Sequence, residues 1–181
     1  MTDFVGKIEH TAVMRGSYDL VRLGNARFLG LITKVLQAEL GIGGEPTWGF
    51  YGYSGKHSVG AMLAEQLRFQ ERGIKWGPGT RVQVAFHTPS EHGDTGISWL
   101  RQRIRDDLGE IGYSAHKVRQ VLYITNVTLD GPSDYTYELL REGARKIALH
   151  DALLWSADEI GKLLDRHHRV RSSAMSPLTC Y

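Results

Sequence analysis

The hydrophobic pattern changes period repeatedly along this chain, and that switching narrows the available folds more than any other feature. Arg81-Val82-Gln83-Val84-Ala85-Phe86-His87 alternates with period two, as a half-buried strand does. Further on, Ile97, Leu100, Ile104 and Leu108 recur at helical spacing, and Val118, Val121, Tyr123 and Val127 return to partial alternation within 118–129. Upstream, Val21, Phe28, Leu31, Ile32, Val35, Leu36 and Leu40 mark one helical face, with Gly24-Asn25 weakening its first turns and Asn25 as the expected cap. Gly41 to Pro46 breaks that helix, and Trp48, Phe50, Tyr51 and Tyr53 favour an extended segment. Residues 5–14 read as a first strand. Residues 58–72 read as a second helix, with Val59, Met62, Leu63 and Leu67 on one face and Gly73 past its end. From Ser133 the chain reads as helical to about Arg169, with a break near 149–156.

Such alternation predicts an α/β or α+β fold: a single layered domain of about four strands over 1–169, with long C-terminal helices and an extended tail over 170–181. One core is expected. It would unite Val21, Phe28, Ile32, Val35, Val59, Met62, Leu63, Leu67, Val84, Phe86, Leu100, Ile104, Val121 and Tyr123.

The bulk numbers exclude several classes. A chain of 181 residues, 41% hydrophobic and 23% charged, has the size and balance of one globular domain. No apolar run approaches the ~20 residues of a membrane span, so no membrane partner is expected. The start, MTDFVGKIEH, carries charge where a secretory leader needs an apolar stretch, which points to the cytoplasm. Cys180 is the single cysteine, which rules out an intrachain disulfide and fits a reducing compartment. The Asn126-Val127-Thr128 sequon is then idle. A net charge of +2 is too small for the whole domain to bind nucleic acid. Positive charge is locally concentrated near the end, in Arg166-His167-His168-Arg169-Val170-Arg171, which could face a helix dipole or meet an acidic partner or a DNA backbone.

Three chemistries are suggested by GFYGYSGKHSVG, residues 49–60. A phosphate loop needs a glycine at position 50 and a hydroxyl after Lys56; Phe50 and His57 stand there instead. A nucleophile elbow is matched by Gly52-Tyr53-Ser54 but needs a glycine where Lys56 stands, and Asp130 and His150 would complete its triad only by default. The reading that explains every residue is a strand-to-helix turn capped by Ser54 or Ser58, with Lys56 solvated. A second polar cluster holds His87, Glu91, His92 and Asp94. Its spacing fits no strong zinc pattern, so a connecting loop without metal is expected, and no cofactor is expected anywhere.

Two family resemblances follow from particular stretches. Arg81 to Phe86, a polar loop, then Ser98-Trp99-Leu100-Arg101-Gln102-Arg103-Ile104 resembles the strand–loop–helix unit of phage tail-terminator and head–tail joining proteins. That resemblance implies a non-enzymatic virion component that assembles with itself into a ring. The C-terminal Arg166, Arg169 and Arg171, with Met175, Leu178 and Tyr181, are expected to make the intermolecular contact, being too polar to bury against their own domain. Alternatively, Phe50 to Lys56, a helix, then Glu71 to Trp76 is similar to the opening of a TIR domain. That would imply an enzyme acting on NAD or a nucleotide, with Glu138 as catalytic acid and Ser54 near the ribose.

Overall fold

The computed structural model describes residues 18–49, 58–63, 70–71, 74–92, 96–113 and 117–175. A short 3-10 turn, Leu20–Leu23, leads into α1 (Gly24–Leu40). Then follow β1 (Ser58–Leu63), a two-residue hairpin of β2 (Gln70–Glu71) and β3 (Ile74–Lys75), and β4 (Thr80–Ala85). The short α2 (Pro89–His92), α3 (Gly96–Tyr113), β5 (Gln120–Thr125), α4 (Tyr135–Lys146), β6 (Asp151–Trp155), α5 (Ala157–Arg166) and α6 (His168–Met175) complete the order.

One open sheet organises these elements, in the order β1-β4-β5-β6. Strand β1 runs antiparallel to β4, with Gly60 opposite Gln83, while β4, β5 and β6 are parallel. The expected α/β class is therefore observed. Helices cover both faces, because parallel strands joined through helices must bury both sides. Among the described residues there are two cores instead of one. Val59, Leu63, Val82, Val84, Leu122, Ile124, Leu153 and Trp155 meet α1 and α5 through Phe28, Ile32, Val35, Leu36, Ile160 and Leu164. On the other face Ala85, Val121, Tyr123, Ala152 and Leu154 meet α3 and α4 through Leu100, Ile104, Ile111 and Leu140.

Several sequence expectations need correction. Residues 58–63 form a strand, not the start of a helix: Val59 and Leu63 join the first of these cores, Ala61 is buried, and Met62 is 39% exposed. A run of six apolar and small residues satisfies both periods, and pairing with β4 decides. Val21 is likewise 39% exposed, outside the core assigned to it. The break at 149–156 is strand β6, buried on both faces and so without alternation. Asn25 is not the cap of α1, which begins at Gly24 directly from the 3-10 turn. Residues 170–175 are not an extended tail. They continue α6, whose Val170 and Ala174 pack on the α1 side of the core. The expected strand at 5–14, Phe50, Tyr51, Tyr53, Leu67, Gly73 and residues 176–181 lie outside the described residues.

Candidate functional site

The α3-facing side of the sheet carries a polar network inside an apolar layer. Period two places Ser58 and Gly60 of β1, Arg81 and Gln83 of β4, and Tyr123 of β5 on this side, the last two paired in register. Helix α3 presents Leu100, Arg103, Ile104, Asp107, Leu108 and Ile111 inward, so an ion pair spaced four residues apart enters the core with the leucines. Asp107 is 1% exposed and is the hub. Its Oδ1 accepts from Ser58 Oγ at 2.9 Å and from Arg103 Nε and a terminal guanidinium nitrogen at 3.0 and 2.7 Å. Its Oδ2 accepts from the Tyr123 hydroxyl at 2.6 Å. Burial, then the Asp107 charge, pushes the Tyr123 phenol well above its ordinary range, so it stays a donor.

The network thins toward the β1 edge. Arg81 Nε donates to Gln83 Oε1 at 3.0 Å. Gly60 has no side chain there for a spatial reason: a Cβ would lie 2.6 Å from Gln83 Oε1 and 3.0 Å from the Arg81 guanidinium. Among the described residues, the buried Gln83 Nε2 and Glu110 Oε2 meet no hydrogen-bond partner. Burial first, and then Asp107, raises the Glu110 carboxyl above its ordinary value.

The residues singled out from sequence are scattered. Ser58 opens β1 and serves Asp107; it caps no helix. Ser54, Lys56 and His57 lie outside the described residues, as do Asp94, Leu178 and Tyr181. Glu138 stands in the first turn of α4, 45% exposed, with Arg141 and Arg145 at 3.8 and 3.7 Å. Since α4 packs over β6 and Ser58 opens β1, Glu138 and Ser58 belong to opposite edges of the sheet, whose edge strands lie three spacings or roughly 14 Å apart. Asp130 follows the carboxyl end of β5 and His150 precedes the amino end of β6, so the parallel strands hold them at opposite ends of the sheet.

His87 is buried at the end of β4, its ring 5.2 Å from that of Trp99. Its backbone is clamped by Asn126, which accepts from the His87 N–H at 2.7 Å and donates to the His87 carbonyl at 2.9 Å. The sequon asparagine is thus a buried splint between β4 and β5. His92 ends α2, and Glu91 is exposed in the same helix. Among the described residues no three His, Cys, Asp or Glu side chains converge as a metal site.

The C-terminal cations divide into engaged and free. Arg166 and His167 share Glu39 of α1, each at 2.6 Å. Arg171 reaches the Tyr18 hydroxyl at 3.4 Å and Asp165 at 3.7 Å. Arg169 is exposed, with no ion pair among the described residues. Met175 ends α6.

A groove of about 400 Å³ opens at the carboxyl ends of β5 and β6. Tyr18, Pro132 and Tyr137 contribute its walls, Gly161 lies beneath Tyr18, and Asp158, Glu159 and Asp165 contribute charge opposed by Lys162. Glu159 is occupied: its Oε2 accepts from Ser156 N and Oγ, which closes the capping box of α5, and from the Tyr137 hydroxyl at 3.1 Å. Burial first pushes Tyr137 up to about 12; the Ser156 hydrogen bond opposes it, and the nearby Glu159 and Asp158 add to the rise. The buried network and this groove both escaped the sequence reading. The first was signalled by Arg103 and Asp107 on the apolar stripe of α3; the second depends on loops whose packing no local pattern encodes. Compared with known protein families and with characterised proteins, the sequence matches none.

Proposed function

We propose that this domain is a non-enzymatic structural or assembly module that associates with copies of itself, as the likeness to ring-forming tail and neck proteins of phage virions implies. The observation that carries the reading is the engagement of Asp107. A catalytic carboxylate must meet substrate or exchange a proton near the working pH. Asp107 instead has both oxygens committed to Ser58, Arg103 and Tyr123, joining β1, α3 and β5. Arg169, exposed on α6 and without an ion pair among the described residues, supports an outward-facing role for the basic segment. Sedimentation of the full chain over a wide concentration range, with parallel incubation with NAD, tests this. The expected result is a defined multiple of the chain mass and no NAD consumption; a monomer at every concentration removes the reading.

A second reading, an enzyme acting on NAD or a nucleotide, keeps one observation in its favour. Glu138 lies in the first turn of α4, the helix that follows the carboxyl end of β5, where open α/β sheets receive ligands. Turnover of NAD that is abolished by Glu138→Gln would carry it.

A further inference from the structure

We propose that the groove beside the first turns of α5 receives the Arg169 side chain of a second copy of this chain. The inference rests on the assembly reading above and names the two surfaces that join. Of the three carboxylates in the groove, Glu159 faces Lys162 at 3.8 Å and Asp165 is held by Arg171 at 3.7 Å, so Asp158 is the one without an ion pair among the described residues. The first amides of α5 do not supply an anion site, because Ser156 and Glu159 cap that helix from within the chain. What remains for a guest is negative charge between aromatic walls: Asp158 is exposed with no ion pair among the described residues, and Tyr18 and Tyr137 stand beside it.

That combination suits a guanidinium better than an ammonium. Its planar fork pairs with carboxylates, and its face stacks on tyrosine rings. The volume of about 400 Å³ exceeds what one arginine side chain needs, leaving room for the backbone turn that carries it. Residues 166–171 hold three arginines and two histidines without an acidic residue. Within the run, Glu39 holds Arg166, and Asp165 with Tyr18 holds Arg171, so Arg169 is the arginine left to reach outward. Donor and acceptor are different residues, and the ring reading places them head to tail rather than exchanged across a twofold axis. Such a contact closes into a ring if the rotation permits.

Charge reversal of the full chain tests the pairing, because Asp158 and Arg169 are both exposed and neither change disturbs the core. Asp158→Arg and Arg169→Glu, each alone, are expected to weaken self-association at least about tenfold, by sedimentation at moderate salt. The two together restore it, since every contact then carries the swapped pair. Circular dichroism of each variant must match the parent, and added salt must weaken the parent's association. If both single variants associate like the parent, the groove is not the contact, although the assembly reading stands. If the parent is monomeric throughout, the assembly reading fails and this inference fails with it.

Discussion

Replacing Asp107 by asparagine removes the charge at the centre of the buried network while keeping its shape. The carboxylate accepts four hydrogen bonds, from Ser58, twice from Arg103, and from Tyr123, within 2.6–3.0 Å. Arg103 is 6% exposed and would keep a guanidinium in the core with its counter-ion gone. Breaking a buried ion pair from one side costs about 3–5 kcal/mol. In a domain of this size each kcal/mol moves the melting temperature by about 2–4 °C, so a fall on the order of 6–20 °C is expected. Tyr123→Phe removes one bond to a charged acceptor and should cost about 1.5–3 kcal/mol. The asparagine variant already weakens that bond, so the double variant should fall short of additivity. Chemical denaturation followed by far-ultraviolet circular dichroism gives all three values. A loss below about half a kcal/mol for Asp107→Asn would refute the argument, because a dispensable buried charge is a functional one.

Further predictions concern single features. Ala148 closes α4 with φ of 61° in a turn where Ala148 N–H meets Arg145 O and Leu149 N–H meets Ala144 O, a position that favours glycine. Ala148→Gly should therefore raise stability by about 0.5–1 kcal/mol; no gain on denaturation would show that the turn is unstrained. Glu110 binds its proton more tightly folded than unfolded, so its contribution is largest in acid and declines as pH rises through the folded value. Glu110→Gln should thus be more stable than the parent at neutral pH, and the gap should close toward acid. Asp134, which caps α4, has the opposite sign: burial raises its carboxyl, but bonds from Thr136, the Asp130 N–H and Arg101 outweigh that and hold it at about 2. Its contribution, at most about 2 kcal/mol and less as solvent screens Arg101, is present above the ordinary carboxylate value and lost as pH falls toward 2. Asp134→Asn, which retains the cap, should lose to the parent at neutral pH and equal it by pH 2. Deleting 170–181 removes Val170, Ala174 and the Arg171 bonds, and should lower the melting temperature by several degrees; an unchanged melt would return this segment to the role of a tail.

The fold was legible where one period dominates. Helices α1 and α3 carry long stripes, and β4 and β5 hold alternation or a central position, so their residues announced them. Strands β1 and β6 did not, because six and five residues sample too little of either period. What makes them strands is pairing with β4 and β5, a partner far along the chain. The same limit explains the sites. The glycine stretch drew attention for its motif-like spacing, whereas the network is assembled from Ser58, Arg103, Asp107 and Tyr123, residues 16 to 49 positions apart where they meet across elements. Only the Arg103–Asp107 spacing was local, and a charged pair on an apolar stripe was the one visible signal. Arg166 and Arg171 were read as cations seeking another molecule; Glu39, Tyr18 and Asp165 satisfy them within the domain.

The self-association we propose is read from the native mass of the full chain. Native mass spectrometry at rising salt should show one multiple of the chain mass at low ionic strength, giving way to single chains as salt screens the Arg169 contact. A single-chain mass at every salt concentration, from protein whose circular dichroism shows it folded, would contradict the claim.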